Sequence, residues 1–190
     1  FEYCSDINNK IVELLLERKI VARASGKMEF GARALGNRSI LASPEDMRII
    51  NKINAAIKKR DFWMPFAPAV LEERLEDLVY VPQSMKPNPS SPYMMFTFLV
   101  KPEMSDKIIA GVHQADKTAR AQTVNPKIYP DLHDIISKFY AKSGIPAVLN
   151  TSFNLHGYPI VEGALDAIYV FLNSDIDILV IGNYLVRKKS

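Results

Sequence analysis

Cysteine is almost absent from this sequence, which has Cys4 alone among 190 residues. One cysteine excludes an internal disulfide and a metal site built from several thiolates, and it is typical of chains that fold in the reducing cytosol. Long apolar runs are also missing. No stretch approaches the roughly 18 residues that a membrane-spanning helix needs, and residues 1–8 lack the pattern of a signal peptide. We therefore expect a cytoplasmic protein without a membrane partner.

An excess of one charge is lacking as well. Lys and Arg number 24 against 21 Asp and Glu, so the net charge is +3, too small to predict a nucleic-acid partner. The 48% of apolar residues is the composition of one ordinary globular domain. Because the chain starts at Phe1 rather than Met, we expect residues 1–190 to be a single domain that was processed or excised from a longer chain.

Helix and strand patterns alternate along the chain, and this predicts an α/β fold with a mixed twisted sheet and flanking helices. The predicted helices are a first one capped by Ser5 or Asp6, one starting at Ser43-Pro44, a short acidic one at 71–78, and two at 130–143 and 163–172. The predicted strands are 20–24, 64–71 as an extended segment, 93–100, 121–124, 147–149, 178–181 and 184–186.

Glycine is scarce, yet three of the eight glycines lie close together at Gly26, Gly31 and Gly36. The same segment carries Lys27, Arg33 and Arg38. Main-chain amides and cationic side chains in one loop are the composition of a phosphate site. The spacing matches neither common nucleotide fingerprint, so a tight loop with solvated arginines remains the alternative.

Three further polar clusters each allow two interpretations. The run 58–60 ends a helix striped with isoleucines, where cations either favour the helix dipole or bind a ligand. Ser152 and Asn154 follow an apolar strand and present a ligand site or a turn that satisfies its own backbone. Arg120 and Gln122 share one strand register and face a ligand or water. The three histidines lack metal-site spacing, so no metal ligand is assigned.

Taken in order, five segments resemble the C-terminal domain of the NodU/CmcH-type carbamoyltransferase family. They are Gly26-Lys-Met-Glu-Phe-Gly-Ala-Arg-Ala-Leu-Gly-Asn-Arg-Ser-Ile40, Lys58-x-Arg60 with Pro65-Phe-Ala-Pro68, Ser91-Pro-Tyr-Met94, Thr118-Ala-Arg-Ala-Gln-Thr-Val124 and Leu149-Asn-Thr-Ser-Phe-Asn154. The resemblance spans nearly the whole chain. It implies a YrdC-like fold and, ahead of Phe1, an N-terminal transferase domain.

The resemblance also implies a reaction. The domain would take ATP, with Mg²⁺ as its counter-ion, and carbamoyl phosphate, and would form carbamoyl adenylate. The N-terminal domain would then pass the carbamoyl group to an acceptor hydroxyl. The alternative is a nucleotide-binding or RNA-binding module of the same fold without catalysis.

Site residues follow from the Lys-x-Arg and Ser-x-Asn pairs of YrdC-like domains. Lys58 and Arg60 would offset phosphate charge as the catalytic pair, and Ser152 and Asn154 would be donors that orient the nucleotide. The remaining candidates for contact with carbamoyl-phosphate or triphosphate oxygens are Lys27, Arg33, Arg38 and Arg120.

Overall fold

A mixed sheet of eight strands forms the centre of the protein. The structure, a computed structural model, describes residues 1–59, 61 and 63–188. The strands, numbered in chain order, are β1 (Glu2–Tyr3), β2 (Val21–Ala24), β3 (Arg38–Ala42), β4 (Ala67–Leu71), β5 (Phe98–Leu99), β6 (Thr118–Ala119), β7 (Gln122–Val124), β8 (Ala147–Ser152), β9 (Ile178–Ile181) and β10 (Tyr184–Arg187).

The order of strands in the sheet is β1-β10-β9-β2-β3-β8-β4-β7. Strands β2 and β9 run parallel, as do β4 and β7, and the other neighbours are antiparallel. Strands β5 and β6 form a separate two-stranded sheet. The predicted class, α/β with a mixed sheet, is confirmed.

Helices cover both faces of the sheet. They are α1 (Ile7–Leu16), α2 (Arg48–Ile53), α3 (Leu75–Leu78), α4 (Pro102–Ser105), α5 (Pro130–Ser143) and α6 (Ala164–Leu172). Helices α1 and α5 pack over one face, around residues such as Leu14 and Phe139, and α2 and α6 pack over the other, around Ile50 and Phe171. Alternate strand residues enter the two cores, because successive side chains of a strand point to opposite faces.

Several predicted boundaries are confirmed. Asp6 caps α1 by accepting a hydrogen bond from the amide of Asn9 at 3.0 Å. Helix α5 spans Pro130–Ser143 and ends at Gly144, whose φ of 73° is left-handed. The hairpin of β9 and β10 turns at Gly182-Asn183 as expected.

Other predictions were wrong in ways that the contacts explain. The hydroxyl of Ser43 donates to the Glu45 carboxylate at 2.8 Å instead of capping a helix, and α2 begins only at Arg48. Of the predicted strand 93–100, Phe98–Leu99 pairs with Ala119 and Thr118, and Val100 forms an isolated bridge with Val79. Strand β3 was not predicted, because it directly follows a glycine-rich and cationic segment whose residues are not typical of a strand.

None of the helices in the described part of the chain combines the length and the apolarity that a membrane span requires.

Candidate active site

A cavity of about 710 Å³ lies beside the end of β8. Its wall is built from residues 32–34, which lie in the glycine-rich loop between β2 and β3, from residues 63–67 before β4, and from residues 150–152 of β8. Segments from distant parts of the sequence therefore meet at one cavity, as the sequence predicts.

Lys58 is the side chain that connects two of the predicted motifs. It is 2% exposed, and its ammonium donates to Ser152 Oγ at 3.0 Å and to Asn154 Oδ1 at 2.6 Å. The helix that carries it widens into a π-turn over Asn54–Lys58, a distortion often found at functional sites. The Lys58 side chain thus points at the 152–154 loop instead of capping its own helix, and it places a buried cation directly behind a residue of the cavity wall.

Ser152 and Asn154 come together as predicted, but their hydrogen bonds differ from those expected. The Ser152 hydroxyl donates to Asn154 Oδ1 at 2.6 Å, and Asn154 Nδ2 donates to the carbonyls of Leu155 and Tyr158 at 2.9 and 2.7 Å. The donors that were assigned to the nucleotide are thus engaged within the loop. In this arrangement Asn154 orients the Lys58 ammonium, while Ser152 lines the cavity.

The glycine-rich loop holds an internal anion. Oε1 of Glu29 accepts hydrogen bonds from the amides of Leu35 and Asn37, both at 2.7 Å, and from the amide of Arg38 at 3.4 Å. These converging amides form the kind of concave site that binds phosphate. In this structure a carboxylate of the same loop accepts from these amides, and their binding of a ligand phosphate stays a prediction.

The contacts of Arg38 differ from the ligand contacts that the sequence predicts for it. It is 8% exposed, and its guanidinium donates to the carbonyls of Ser25, Gly26, Asn37 and Glu162 at 2.8–3.2 Å. Lys27 is exposed, and its carbonyl accepts from Asn37. Neither residue is among the described residues that line the cavity. Arg38 holds the loop, and its donors to main-chain carbonyls explain why it is not directed at a ligand.

Arg33 and Arg120 both line the cavity and are exposed. Asp116 lies on the same wall, where the hydroxyl and amide of Thr118 donate to its carboxylate at 2.7 and 2.9 Å and hold its pKa below the usual value. His113 Nδ1 is 3.3 Å from the same carboxylate oxygen. The cavity wall therefore combines two guanidinium groups with one anionic carboxylate.

Arg60, the second member of the predicted catalytic pair, lies outside the described residues. Its assignment stays a prediction.

Two buried polar residues of the site were not predicted. Arg23, 1% exposed, donates to the Gly36 carbonyl at 2.6 Å and to Asp131 at 3.1 Å, and burial lowers its pKa despite the Asp131 charge. Asn150, also 1% exposed, lines the cavity beside Ser152. The sequence contains a signal for Asn150. It is a polar residue directly after the apolar residues that begin β8, and it lies on the same face of that strand as Ser152.

No group of three or more His, Cys, Asp and Glu side chains within the described residues is placed to hold a metal ion. Nucleotide-bound Mg²⁺ needs only one or two carboxylates in addition to phosphates. Asp116 on the cavity wall fits that requirement.

The fold of this chain is shared with proteins of known structure. The chain has an α/β fold of the YrdC-like kind and is similar in structure to YciO of E. coli, with a TM-score of 0.61, 19% identity and coverage of 97% of this chain and 81% of that chain. Full-length HypF, solved in a phosphate- and nucleotide-bound form, aligns with a TM-score of 0.58 and 14% identity over 93% of this chain and 25% of that chain.

The family follows from the sequence comparison. Residues 12–188 match the family model described as carbamoyltransferase C-terminus, and the chain belongs to this family. Nodulation protein NolNO of Sinorhizobium fredii is 39% identical over 189 residues, which are 100% of this chain and 27% of that protein. The chain thus spans about a quarter to a third of the length of the curated relatives it matches.

Proposed function

We propose that this domain forms carbamoyl adenylate from ATP and carbamoyl phosphate. It would supply the carbamoyl group for transfer to an acceptor hydroxyl by a further, N-terminal domain of a longer enzyme. The observation that carries the proposal is the convergence of Lys58, Ser152 and Asn154 beside a cavity that Arg33 and Arg120 also line. Membership of the carbamoyltransferase C-terminus family supports it, as does the phosphate- and nucleotide-bound form in which HypF was solved.

The chemistry consists of two steps. Water cleaves carbamoyl phosphate to carbamate and inorganic phosphate. A carbamate oxygen then attacks the α-phosphorus of ATP, forming the new P–O bond while the bond to pyrophosphate breaks. Neither step needs a nucleophile from the protein, so fixed charge and positioning are the contributions required of the site.

The candidate residues at the cavity would each have a role in this reaction. Lys58 is a buried cation held 3.0 Å from the Ser152 hydroxyl, and it would offset negative charge on a phosphoryl group placed against that hydroxyl. Arg33 and Arg120, which are exposed to the cavity, are free of the loop-holding role of Arg38 and would bind the outer phosphate oxygens. Lys27 and Arg60 remain candidates for further phosphate contacts.

Asp116, which lines the cavity, would hold the Mg²⁺ that arrives with ATP, and the ion would supply positive charge to the phosphates. A cavity of about 710 Å³ lies within the range of small-molecule sites and can enclose reactants. Enclosure matters here because carbamate decomposes in water, so the adenylate should pass to the next domain without release.

Pyrophosphate release from α-labelled ATP tests the proposal directly. The purified chain with Mg²⁺ should release pyrophosphate only when carbamoyl phosphate is present, and the label should move into an AMP adduct. Inorganic phosphate in place of carbamoyl phosphate is the control. A folded chain that binds ATP by calorimetry without releasing pyrophosphate would be a binding module, and one that binds salt-dependently to RNA but not to ATP would be an RNA-binding domain. Either result overturns the proposal.

A further inference from the structure

Asn150, which lines the cavity, has a buried hydrogen-bond acceptor without a partner among the described residues. Asn150 is 1% exposed, and its Nδ2 donates to the Ala34 carbonyl at 3.0 Å and to Gln122 Oε1 at 2.7 Å. Its Oδ1 is buried, and no described residue donates a hydrogen bond to it. Native proteins leave few buried polar atoms unpaired, so an unpaired atom of a cavity-lining residue needs an explanation.

The orientation of this amide is determined by its neighbours. The carbonyls of Ala34 and Leu35 can only accept hydrogen bonds, so an amide nitrogen must face each of them. Asn150 Nδ2 faces the Ala34 carbonyl, and Gln122 Nε2 faces the Leu35 carbonyl at 3.0 Å. Gln122 Oε1 must then accept from Asn150. Both protons of Nδ2 are thereby used, and Oδ1 is left as an acceptor for which no described residue supplies a donor.

The place of Asn150 in the sheet relates this acceptor to the cation of the site. Asn150 and Ser152 are two residues apart in β8 and share one face, with Cα atoms about 7 Å apart. The Lys58 ammonium binds Ser152 at 3.0 Å. A ligand that spans these positions must carry negative charge at one end and an N–H donor a few bonds away. Carbamoyl phosphate has this arrangement, because a single oxygen joins its phosphoryl group to the carbon that carries –NH₂.

We infer that Asn150 Oδ1 accepts a hydrogen bond from the carbamoyl –NH₂ and makes the site selective for an acyl phosphate that carries an amino group. This inference rests on the proposed function and assigns the part of the site that recognises the acyl group. Acetyl phosphate has nearly the same shape but places a methyl group where the donor belongs. That methyl would leave Oδ1 unpaired, and sites built to pair with a substrate N–H reject such analogues strongly.

The first measurement needs no variant. Calorimetry should find that the wild-type chain binds carbamoyl phosphate at least about tenfold more tightly than acetyl phosphate. Equal affinities overturn this inference and leave the proposed function intact. A chain that binds neither acyl phosphate refutes the proposed function and this inference with it.

A pair of variants separates recognition from support of the loop. Asn150→Ala removes the acceptor and one tether of the loop, whereas Gln122→Ala loosens the same network but leaves Oδ1, because the Ala34 carbonyl still orients Asn150. Asn150→Ala should reduce the preference for carbamoyl over acetyl phosphate to about twofold or less, and Gln122→Ala should keep it. A preference that survives Asn150→Ala, or that both variants lose equally, overturns the inference.

A third arm tests the other N–H donor in the proposed reaction, the amino group of adenine. The preference for ATP over inosine triphosphate, which lacks that amino group, should be the same in the wild type and in Asn150→Ala. A loss of that preference, with discrimination between the acyl phosphates unchanged, would assign Oδ1 to the nucleobase and overturn the inference.

Discussion

The ammonium of Lys58 lies 2.6 Å from Oδ1 of Asn154, although 96 positions separate the two residues in the chain. The contact joins the end of a π-turn to the loop that follows β8. A buried ammonium is stabilised only where oxygen acceptors surround it, and Ser152 supplies a second one at 3.0 Å. The contact therefore brings the two halves of the predicted site together and fixes the position of a buried cation behind the cavity wall.

Replacing this cation should stop the reaction. Lys58→Met keeps most of the hydrocarbon chain but removes the charge, and we expect carbamoyl-phosphate-dependent pyrophosphate release to fall about 100-fold, as when a fixed donor to a transition-state oxygen is removed. The matched control is Lys59→Met, since Lys59 is the exposed neighbour. Both variants need a circular dichroism spectrum like that of the wild type. Equal activity of the two would contradict the role of Lys58.

Arg33 in the glycine-rich loop and Arg38 at the start of β3 should respond in opposite ways to substitution. Arg33 is exposed at the cavity, so Arg33→Ala should weaken ATP or carbamoyl-phosphate binding with little effect on the unfolding midpoint. Arg38→Ala should lower the free energy of unfolding by about 1–3 kcal/mol, because partly buried main-chain carbonyls lose a charged donor. Calorimetric titration and urea unfolding measure the two effects. The reverse pattern would mean that Arg38 contacts ligand.

Sequence reasoning reached the fold class and most helices because their signals are local. Asp6 and Gly144 mark helix ends by backbone chemistry that any structure must satisfy. It missed β3, whose pairing with β2 and β8 depends on residues far away in the chain.

The site was predictable to the level of which segments meet and not to the level of hydrogen bonds. Ser152 and Lys58 could be placed together by resemblance, and the structure bears this out. The loop-holding role of Arg38 and the unpaired acceptor of Asn150 could not be found in that way, because each depends on which main-chain carbonyls lie nearby.

The start of α2 should contribute a pH-dependent part of stability. The Arg48 guanidinium donates to the Asp46 carboxylate and lowers the pKa of that group to about 2. A carboxyl group whose pKa is lower in the folded state stabilises the fold above its unfolded pKa of 3.8, and this contribution is lost as pH falls through about 2. Asp46→Asn should flatten the slope of unfolding free energy against pH between these values. Arg48→Gln should flatten it too, and an unchanged slope in both would refute the coupling.

A side chain at Gly36 should destabilise the fold more than one at Gly31. Its φ is 128°, and a Cβ there would lie 2.8 Å from Cδ2 of Leu132. Gly31 is the matched control, with a φ of 138° and open space around a Cβ. Gly36→Ala should therefore lower the unfolding midpoint more than Gly31→Ala, which has backbone strain alone. Adding Leu132→Ala to Gly36→Ala should recover part of the difference in unfolding midpoint. A double-mutant cycle that finds no coupling between the two sites would contradict the close approach.

The carboxylate of Glu29 should act as a built-in anion that a free anion can replace. It accepts from the amides of Leu35 and Asn37 at 2.7 Å each, so Glu29→Ala leaves donors without a partner and should cost about 1–3 kcal/mol of unfolding free energy. The emptied group of amides is then a site for phosphate or sulfate. Millimolar sulfate should raise the unfolding midpoint of Glu29→Ala more than that of the wild type, with ionic strength held constant by chloride.

Glu29→Gln is the conservative companion variant. Its amide oxygen can still accept from Leu35 and Asn37, so it should lose less stability than Glu29→Ala, and sulfate should stabilise it little because the site stays filled. Equal stabilisation of the wild type and both variants by sulfate would place anion binding elsewhere on the protein. It would also contradict the anion-binding role of the loop amides, because an emptied site must gain more stability from an added anion than an occupied site does.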